Sequence, residues 1–365
     1  MVTQTAIPCM LMRGGTSKGP FFSFDDLPKD IETRNNVLLA ALGSPDKRQI
    51  DGIGGAHSLT SKVGIVKISD LPNVDLEFLF AQLQPDSDSV NTNVNCGNML
   101  AAVVPFALEK GLIKAQGETT TVRVLTQNTG VLADITVQTP NQTITYDGDA
   151  KIDGVPNTHA PIQIRFLDTE GSVCGSLLPT GNVYDEFDLA EFGKLPATCI
   201  DNGMPMVLVR AKDVHRTAYE KVAELNQDEQ LKQILEQLRI QAGFKMNLGD
   251  VSDKNYPKMC LLSEPIQGGN VHTRCFIPHV CHEAIGVLAA VTIATACVIP
   301  DTVAYGFSDF NPKKPFSVEH PSGEFSVTLS FNSQGKVESA ALLRTARLLM
   351  KGEVMISPKI WSQGE

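Results

Sequence analysis

The sequence predicts an α+β chain of two domains, each a curved antiparallel sheet wrapped around one apolar helix. Three observations carry that prediction. The chain has 365 residues, more than one small core needs. Short β-branched runs bounded by Gly, Pro, Asp or Asn recur throughout. Its two halves also share one layout: strands, an amphipathic helix, a glycine-containing loop, an apolar helix opened by a cysteine, then strands. The repeat is one of plan, because few letters match between the halves. A helix that is apolar all round must be covered all round, and a curved sheet supplies that cover.

In the first half, residues 7–12, 63–68, 76–82, 121–125, 131–139 and 143–146 read as strands. Residues 31–42 read as a helix with Val37, Leu38, Ala41 and Leu42 on one face and Gly43 as its stop. Residues 97–108 read as a second helix that stops at Glu109-Lys110-Gly111. Pro105 inside it removes a backbone hydrogen bond and predicts a kink. The segment 179–196, rich in Gly, Pro and acidic residues, reads as the domain boundary. Residues 199–209 then read as a strand. Across 213–243, Val222, Leu225, Leu231, Ile234, Leu235 and Leu238 recur at helical spacing. After Gly268-Gly269, residues 271–277 read as a strand, 281–297 as an apolar helix, and 317–318, 325–331 and 340–349 as strands.

Composition removes several classes of function. The net charge is −10 and no Lys/Arg block occurs, so nucleic acid and anionic membrane surfaces are poor partners. Hydrophobic residues are 42% and charged residues 20%, an ordinary globular balance. The first residues lack the pattern of a secretory signal, and no apolar run reaches the ~18 residues of a membrane span. Eight cysteines are scattered without a C-x-x-C pair, which reads as a reduced, cytoplasmic protein. His279, Cys281 and His282 are too close in sequence to converge on one ion, so no metal is expected.

The chemistry is concentrated in two loops. Asn95-Cys96-Gly97-Asn98 puts a thiol at the start of an apolar helix, where unsatisfied N–H groups and the dipole favour thiolate. Asn and Gly on either side let the backbone approach a ligand. Upstream, Gly52-Ile53-Gly54-Gly55 leads to Thr60-Ser61-Lys62 at the mouth of the apolar run from Val63. Partial burial there would favour the neutral amine, the form a base needs. A lysine and a cysteine in such loops suit proton transfer on a small anionic substrate. Hydroxyl, amide and backbone N–H donors at Thr16, Ser17, Asn95, Gly97 and Asn98 can hold carboxylates without net positive charge. Arg13 and Lys18 could pair with them as cations.

Several of these segments together resemble the PrpF group of the diaminopimelate-epimerase fold. They are Met12-Arg13-Gly14-Gly15-Thr16-Ser17-Lys18-Gly19, Asp51-Gly52-Ile53-Gly54-Gly55, Leu59-Thr60-Ser61-Lys62-Val63 and Asn95-Cys96-Gly97-Asn98. His320-Pro321-Ser322-Gly323, and Arg344-Thr345-Ala346-Arg347 with Gly352-Glu353-Val354, extend the match nearly end to end. The resemblance implies two domains, each a β-barrel-like sheet around a central helix. It places residues 1–187 and a tail from about 352 to 365 in the first domain and 188–351 in the second, with the active site in the cleft between them. It implies a cofactor-independent isomerase that moves a double bond by a 1,3-proton shift in a small unsaturated di- or tricarboxylate. 4-Oxalomesaconate is the foremost substrate of that kind, with aconitate and methylitaconate as alternatives. Lys62 and Cys96 become the catalytic pair. Thr16, Ser17, Lys18, Ser61, Asn95, Gly97, Asn98, Arg274, His282 and Ser322 become candidate substrate contacts, Arg274 as a bidentate carboxylate clamp. Cleft enzymes of this size are often homodimers. Two rivals stand beside this reading. An amino-acid epimerase would need a second thiol facing Cys96, for which Cys281 is the candidate. A non-catalytic organic-acid-binding protein would need no thiol at all.

Overall fold

A computed structural model describes residues 4–93, 96–190 and 192–362. The chain divides into two compact units, 1–167 with 342–365, and 168–341.

The first unit opens with β1 (Thr5–Gly14) and β2 (Ser17–Ser23), an antiparallel hairpin. Helix α1 (Ile31–Leu42) crosses over to β3 (Lys62–Ile68), which lies parallel to β2. The Asp30 carboxylate caps α1 at the Thr33 N–H, and Gly43, with φ 80°, ends it. Next, β4 (Leu76–Leu83) returns antiparallel to β3, and a short β5 (Val90–Asn91) follows it. A second crossover, α2 (Gly97–Leu100) and α3 (Val103–Lys110), leads to β6 (Thr119–Thr126), parallel to β4. Strands β7 (Val131–Gln138) and β8 (Ile162–Phe166) complete the unit's first pass as an antiparallel meander.

The second unit repeats this course. It begins with β9 (Asp185–Leu189), β10 (Gly193–Asp201) and β11 (Pro205–Arg210), all antiparallel neighbours. Helices α4 (Val222–Gln227) and α5 (Glu229–Lys245) cross over to β12 (Lys258–Ser263), parallel to β11. Strand β13 (Val271–Phe276) returns antiparallel, and α6 (Val287–Cys297) crosses to β14 (Phe316–His320), parallel to β13. Strands β15 (Gly323–Phe331) and β16 (Val337–Arg344) follow. The last strand, β17 (Ala346–Ile356), rejoins the first unit as the antiparallel partner of β1.

The pseudo-repeat is therefore a repeat of connections. In each unit a hairpin is flanked by two helical crossovers, and each crossover makes one parallel pair. The sheets are mixed, not purely antiparallel as the sequence suggested. The second crossover helix of each unit is the buried one: residues 99–107 and 289–296 are almost wholly inaccessible. The first crossover helix is amphipathic, with α5 burying Leu231, Ile234, Leu235 and Leu238 against the second unit's core.

Other departures have local causes. The helix expected over 97–108 breaks at Ala101 and Ala102, one turn before Pro105. Pro105 has no N–H for the Ala101 carbonyl, and its ring crowds that carbonyl. The strand expected over 199–209 is two strands, joined at Asn202-Gly203, where Gly203 has φ 88°. Residues 143–146 form no strand. The preceding turn at Asn141 and Gln142 takes positive φ values of 54° and 62°. The domain boundary falls after residue 167, not 187. Residues 168–187 belong to the second unit because Asp201 accepts from the Val173 and Cys174 N–H groups, and β9 pairs with β10. The return to the first unit likewise begins near 342, not 352. No described helix is long and apolar enough to cross a membrane.

Candidate active site

The β1–β2 turn is built to lie against the start of α2. A Cβ on Gly14 would stand 2.3 Å from the Asn98 carbonyl oxygen, and one on Gly15 would stand 2.1 Å from Asn98 Oδ1. Gly15 also has φ +51°, which glycine adopts without strain. The close approach lets the Asn98 amide donate to Thr16 Oγ1 at 3.0 Å. Arg13 stabilises the turn from beneath, donating to the Gly15 carbonyl, the Thr345 carbonyl and Thr345 Oγ1. That guanidinium is engaged in structure, so its reading as a substrate cation does not hold for Nη1. Lys18 donates its backbone N–H to Leu59 and carries a half-buried side chain.

Ser17 is 1% exposed, yet its hydroxyl has no hydrogen-bond partner among the described residues. A buried, unsatisfied hydroxyl in a native fold calls for an explanation. Gly19, two residues on and on the same face of β2, would place a Cβ 1.8 Å from the Lys62 carbonyl and 3.3 Å from Met99 Cε. This face of β2 therefore looks toward both the Lys62 strand and the α2 start, and Ser17 belongs to it.

Cys96 is the N-cap residue of α2. Its carbonyl accepts from the Leu100 N–H at 2.9 Å, and its side chain takes no part in capping. The thiol is half-buried. The helix it opens is a single turn before the break at Ala101, so the aligned dipole is shorter than the sequence suggested. Gly97 is buried and Asn98 half-buried. Asn95, the fourth member of the motif, lies outside the described residues.

Lys62 opens β3 and is 8% exposed. Its Nζ donates to Gln82 Oε1, on the residue directly opposite it in β4. Nζ also sits over the Phe80 ring, 5.2 Å from the centroid. Ser61 is fully buried and donates to Gln49 Oε1 at 2.9 Å. Gln49 is the organiser of this loop. It also accepts from the Ala56 N–H and donates to Ser44 Oγ, and its carboxamide oxygen lies where a Cβ on Gly54 would be. Neither Gln49 nor Gln82 stands out in the sequence. Gln82 is one polar residue in a strand, and only register places it against Lys62.

The second unit's candidates are Arg274, His282 and Ser322. Arg274 on β13 is buried, donating to the Glu220 and Thr273 carbonyls and to His272 Nε2 at 2.7 Å. Its Nε and Nη1 are held within the protein, so the reading as a bidentate clamp does not hold for those two nitrogens. His272 in turn donates from Nδ1 to Glu319 at 2.9 Å. The fully buried Glu319 carboxylate also accepts the N–H groups of Ile266, Gln267 and Gly269. Burial pushes Glu319 up, but these backbone and histidine bonds outweigh it and hold its carboxyl below the usual range. Burial pushes His272 below its ordinary value despite Glu319. The unfolded chain therefore binds a proton that folded His272 refuses, and stability falls as pH drops below about 6.5. His272→Asn keeps a donor for Glu319 and should flatten that slope in thermal melts between about pH 5 and 6.5. An unchanged slope would remove His272 as its source.

Cys281 does not open α6. It forms a bridge back to Phe276, and its N–H donates to Asn226. The helix begins at Val287 instead, after a Gly286 cap. Cys281 is 2% exposed, and burial pushes its thiol up to about 12. His282 accepts the Ala284 N–H at Nδ1, and burial lowers it too. Ser322 is exposed in the β14–β15 turn, 3.3 Å from His320 Nδ1. No group of three His, Cys, Asp or Glu side chains among the described residues converges as metal ligands.

A family described as PrpF protein matches residues 4–357. A 4-oxalomesaconate tautomerase of Pseudomonas putida is 51% identical over 364 residues, 99% of each chain. A (4E)-oxalomesaconate Delta-isomerase of a Novosphingobium species is also 51% identical, over 96% of this chain and 97% of its own. A crystal structure of a methylitaconate-delta-isomerase superposes with a TM-score of 0.87 at 34% identity, covering all of both chains.

Proposed function

The chain belongs to the PrpF family, and from that premise we propose that it shifts a double bond in 4-oxalomesaconate using Lys62 and Cys96. It is an isomerase of small unsaturated carboxylates. The observation that carries the substrate is the 51% identity, over nearly the full length of both chains, to a 4-oxalomesaconate tautomerase.

The Lys62 amine removes a proton from the carbon adjacent to the activating carbonyl system. The C–H electron pair delocalises as a dienolate, which needs donors in a water-poor site. The Ser17 hydroxyl, with no partner among the described residues, supplies one. Thr16, Asn98 and the N–H at Gly97 supply others, and Lys18 offers charge to a carboxylate. The Cys96 thiol gives its proton to the far carbon, becoming thiolate as the double bond settles one position along. Proton return from ammonium to thiolate, directly or through solvent, restores the pair. Ser61, whose hydroxyl donates to Gln49, serves as framework, as do Nε and Nη1 of Arg274. The epimerase rival loses support, since Cys281 is sealed and poorly ionisable.

Proton NMR of 4-oxalomesaconate, aconitate and 3-methylitaconate in deuterated water tests the substrate. Isomerisation should be fastest for 4-oxalomesaconate, and a higher kcat/KM on either other acid would reassign it. The Gly15 turn offers an independent check. Gly15→Ala adds strain of about 1–2 kcal/mol and drives a methyl into Asn98. Turnover should drop at least tenfold, by roughly the 1.4 kcal/mol per decade of the rate law, while the protein still folds. Wild-type kinetics in that variant would show that Asn98 and Thr16 do not set the site.

A further inference from the structure

Gln82 has contacts that a strand residue does not need for pairing. Its Nε2 lies 3.1 Å from the Ser58 carbonyl, 3.2 Å from that of Ser61 and 2.8 Å from that of Leu83. All three are acceptors, so the amide nitrogen must face them and the amide oxygen must face Lys62. The amide cannot usefully flip. Its oxygen is a fixed acceptor aimed at Nζ.

The partner's lack of charge is equally informative. Among the described residues, no carboxylate lies within ion-pair range of Lys62; its Nζ meets the Gln82 oxygen and the Phe80 ring. A carboxylate there would hold the lysine as ammonium and block its use as a base. A carboxamide oxygen accepts one N–H from the amine or the ammonium alike. It also repels the amine's lone pair, which must then point away from Gln82.

We propose that Gln82 is the positioning residue of the reaction: it fixes the direction of the Lys62 lone pair without fixing its charge. This inference rests on the reading of Lys62 as the base. Gln82 acts through Lys62 and not by touching the substrate. The Phe80 face adds a second neutral group that favours the cation formed as the proton arrives.

Two substitutions separate the geometric from the electrostatic part. Gln82→Met removes the acceptor and should lower kcat about 30- to 100-fold, less than the roughly 10²- to 10⁴-fold cost of losing the base itself, with KM changed less than about threefold. Gln82→Glu keeps the shape and the acceptor but adds charge. It should move the low-pH limb of kcat/KM up by about one unit or more, because the base is now held protonated. Kinetics are normalised to the folded fraction from circular dichroism, since the loop carbonyls lose a donor in both variants. Lys62→Met is measured alongside. If Lys62→Met is inactive while both Gln82 variants keep wild-type kcat and an unmoved pH limb, Gln82 is a loop support and the proposal fails alone. It fails in the same way if the losses in the two variants track the folded fraction. If Lys62→Met retains turnover, the reading of Lys62 as base fails and takes the proposal with it.

Discussion

Lys62→Met is expected to reduce kcat by about 10³-fold or more, with a fold indistinguishable from wild type. Loss of a general base typically costs about 10²- to 10⁴-fold, and among the described residues no other amine stands at the head of β3 to replace it. Methionine nearly matches the length and volume of lysine, so it can fill the same 8%-exposed slot over Phe80. The cost to stability is the Gln82 oxygen left without its donor, about 1–3 kcal/mol. Circular dichroism and a thermal melt check the fold, and steady-state kinetics check the loss. Activity within tenfold of wild type would remove Lys62 from the chemistry.

Cys96→Ser should be the second large loss, again about 10²- to 10⁴-fold in kcat. Cys96 caps α2 only through its backbone carbonyl, and its sulfur accepts no capping hydrogen bond. Serine is among the best N-cap residues, so the variant should be at least as stable as wild type. Its hydroxyl is a far weaker acid than a thiol and cannot return the proton at a useful rate. Retained stability with lost turnover separates a chemical role from a packing one. Retained turnover would mean that another acid, or solvent, protonates the far carbon.

Much of the fold could be read from the sequence because the two central helices are apolar on every side. Residues 99–107 and 289–296 have no polar face to turn outward, so the chain around them must form a covering sheet. What the sequence could not show was the direction of pairing. Parallel and antiparallel strands draw on the same residue types, and the parallel pairs that join β2 to β3, β4 to β6, β11 to β12 and β13 to β14 follow from the crossovers alone. The second unit's start was misplaced because a Gly- and Pro-rich stretch resembles a linker whether or not its backbone is bonded. Here Asp185 accepts from the Thr180 hydroxyl and the Asn182 amide, and the Thr198 hydroxyl donates to the Val183 carbonyl.

The site could be read where a residue's role is written in its neighbours along the chain. Cys96 beside Gly97 and Asn98, and Gly14-Gly15 before Thr16, are of that kind, since close approach requires glycine. Gln82 and Gln49 are of the other kind. Each acts on a partner 20 or 12 residues away through register or a loop fold. Arg274 shows the opposite error. An arginine on a strand looks like a bidentate clamp until its Nε and Nη1 are found engaged with Glu220, Thr273 and His272.

If Lys62 and Cys96 act on opposite ends of one three-carbon system, the two residues must leave separate isotopic marks. Site-resolved deuterium incorporation into 4-oxalomesaconate, followed by NMR in deuterated water, reads both marks at once. Wild-type enzyme should exchange at both terminal carbons of that system. Cys96→Ser should retain exchange at the carbon that Lys62 deprotonates and lose delivery to the far one, while Lys62→Met should lose both. Exchange at both carbons that persists in the two variants would contradict this division of roles.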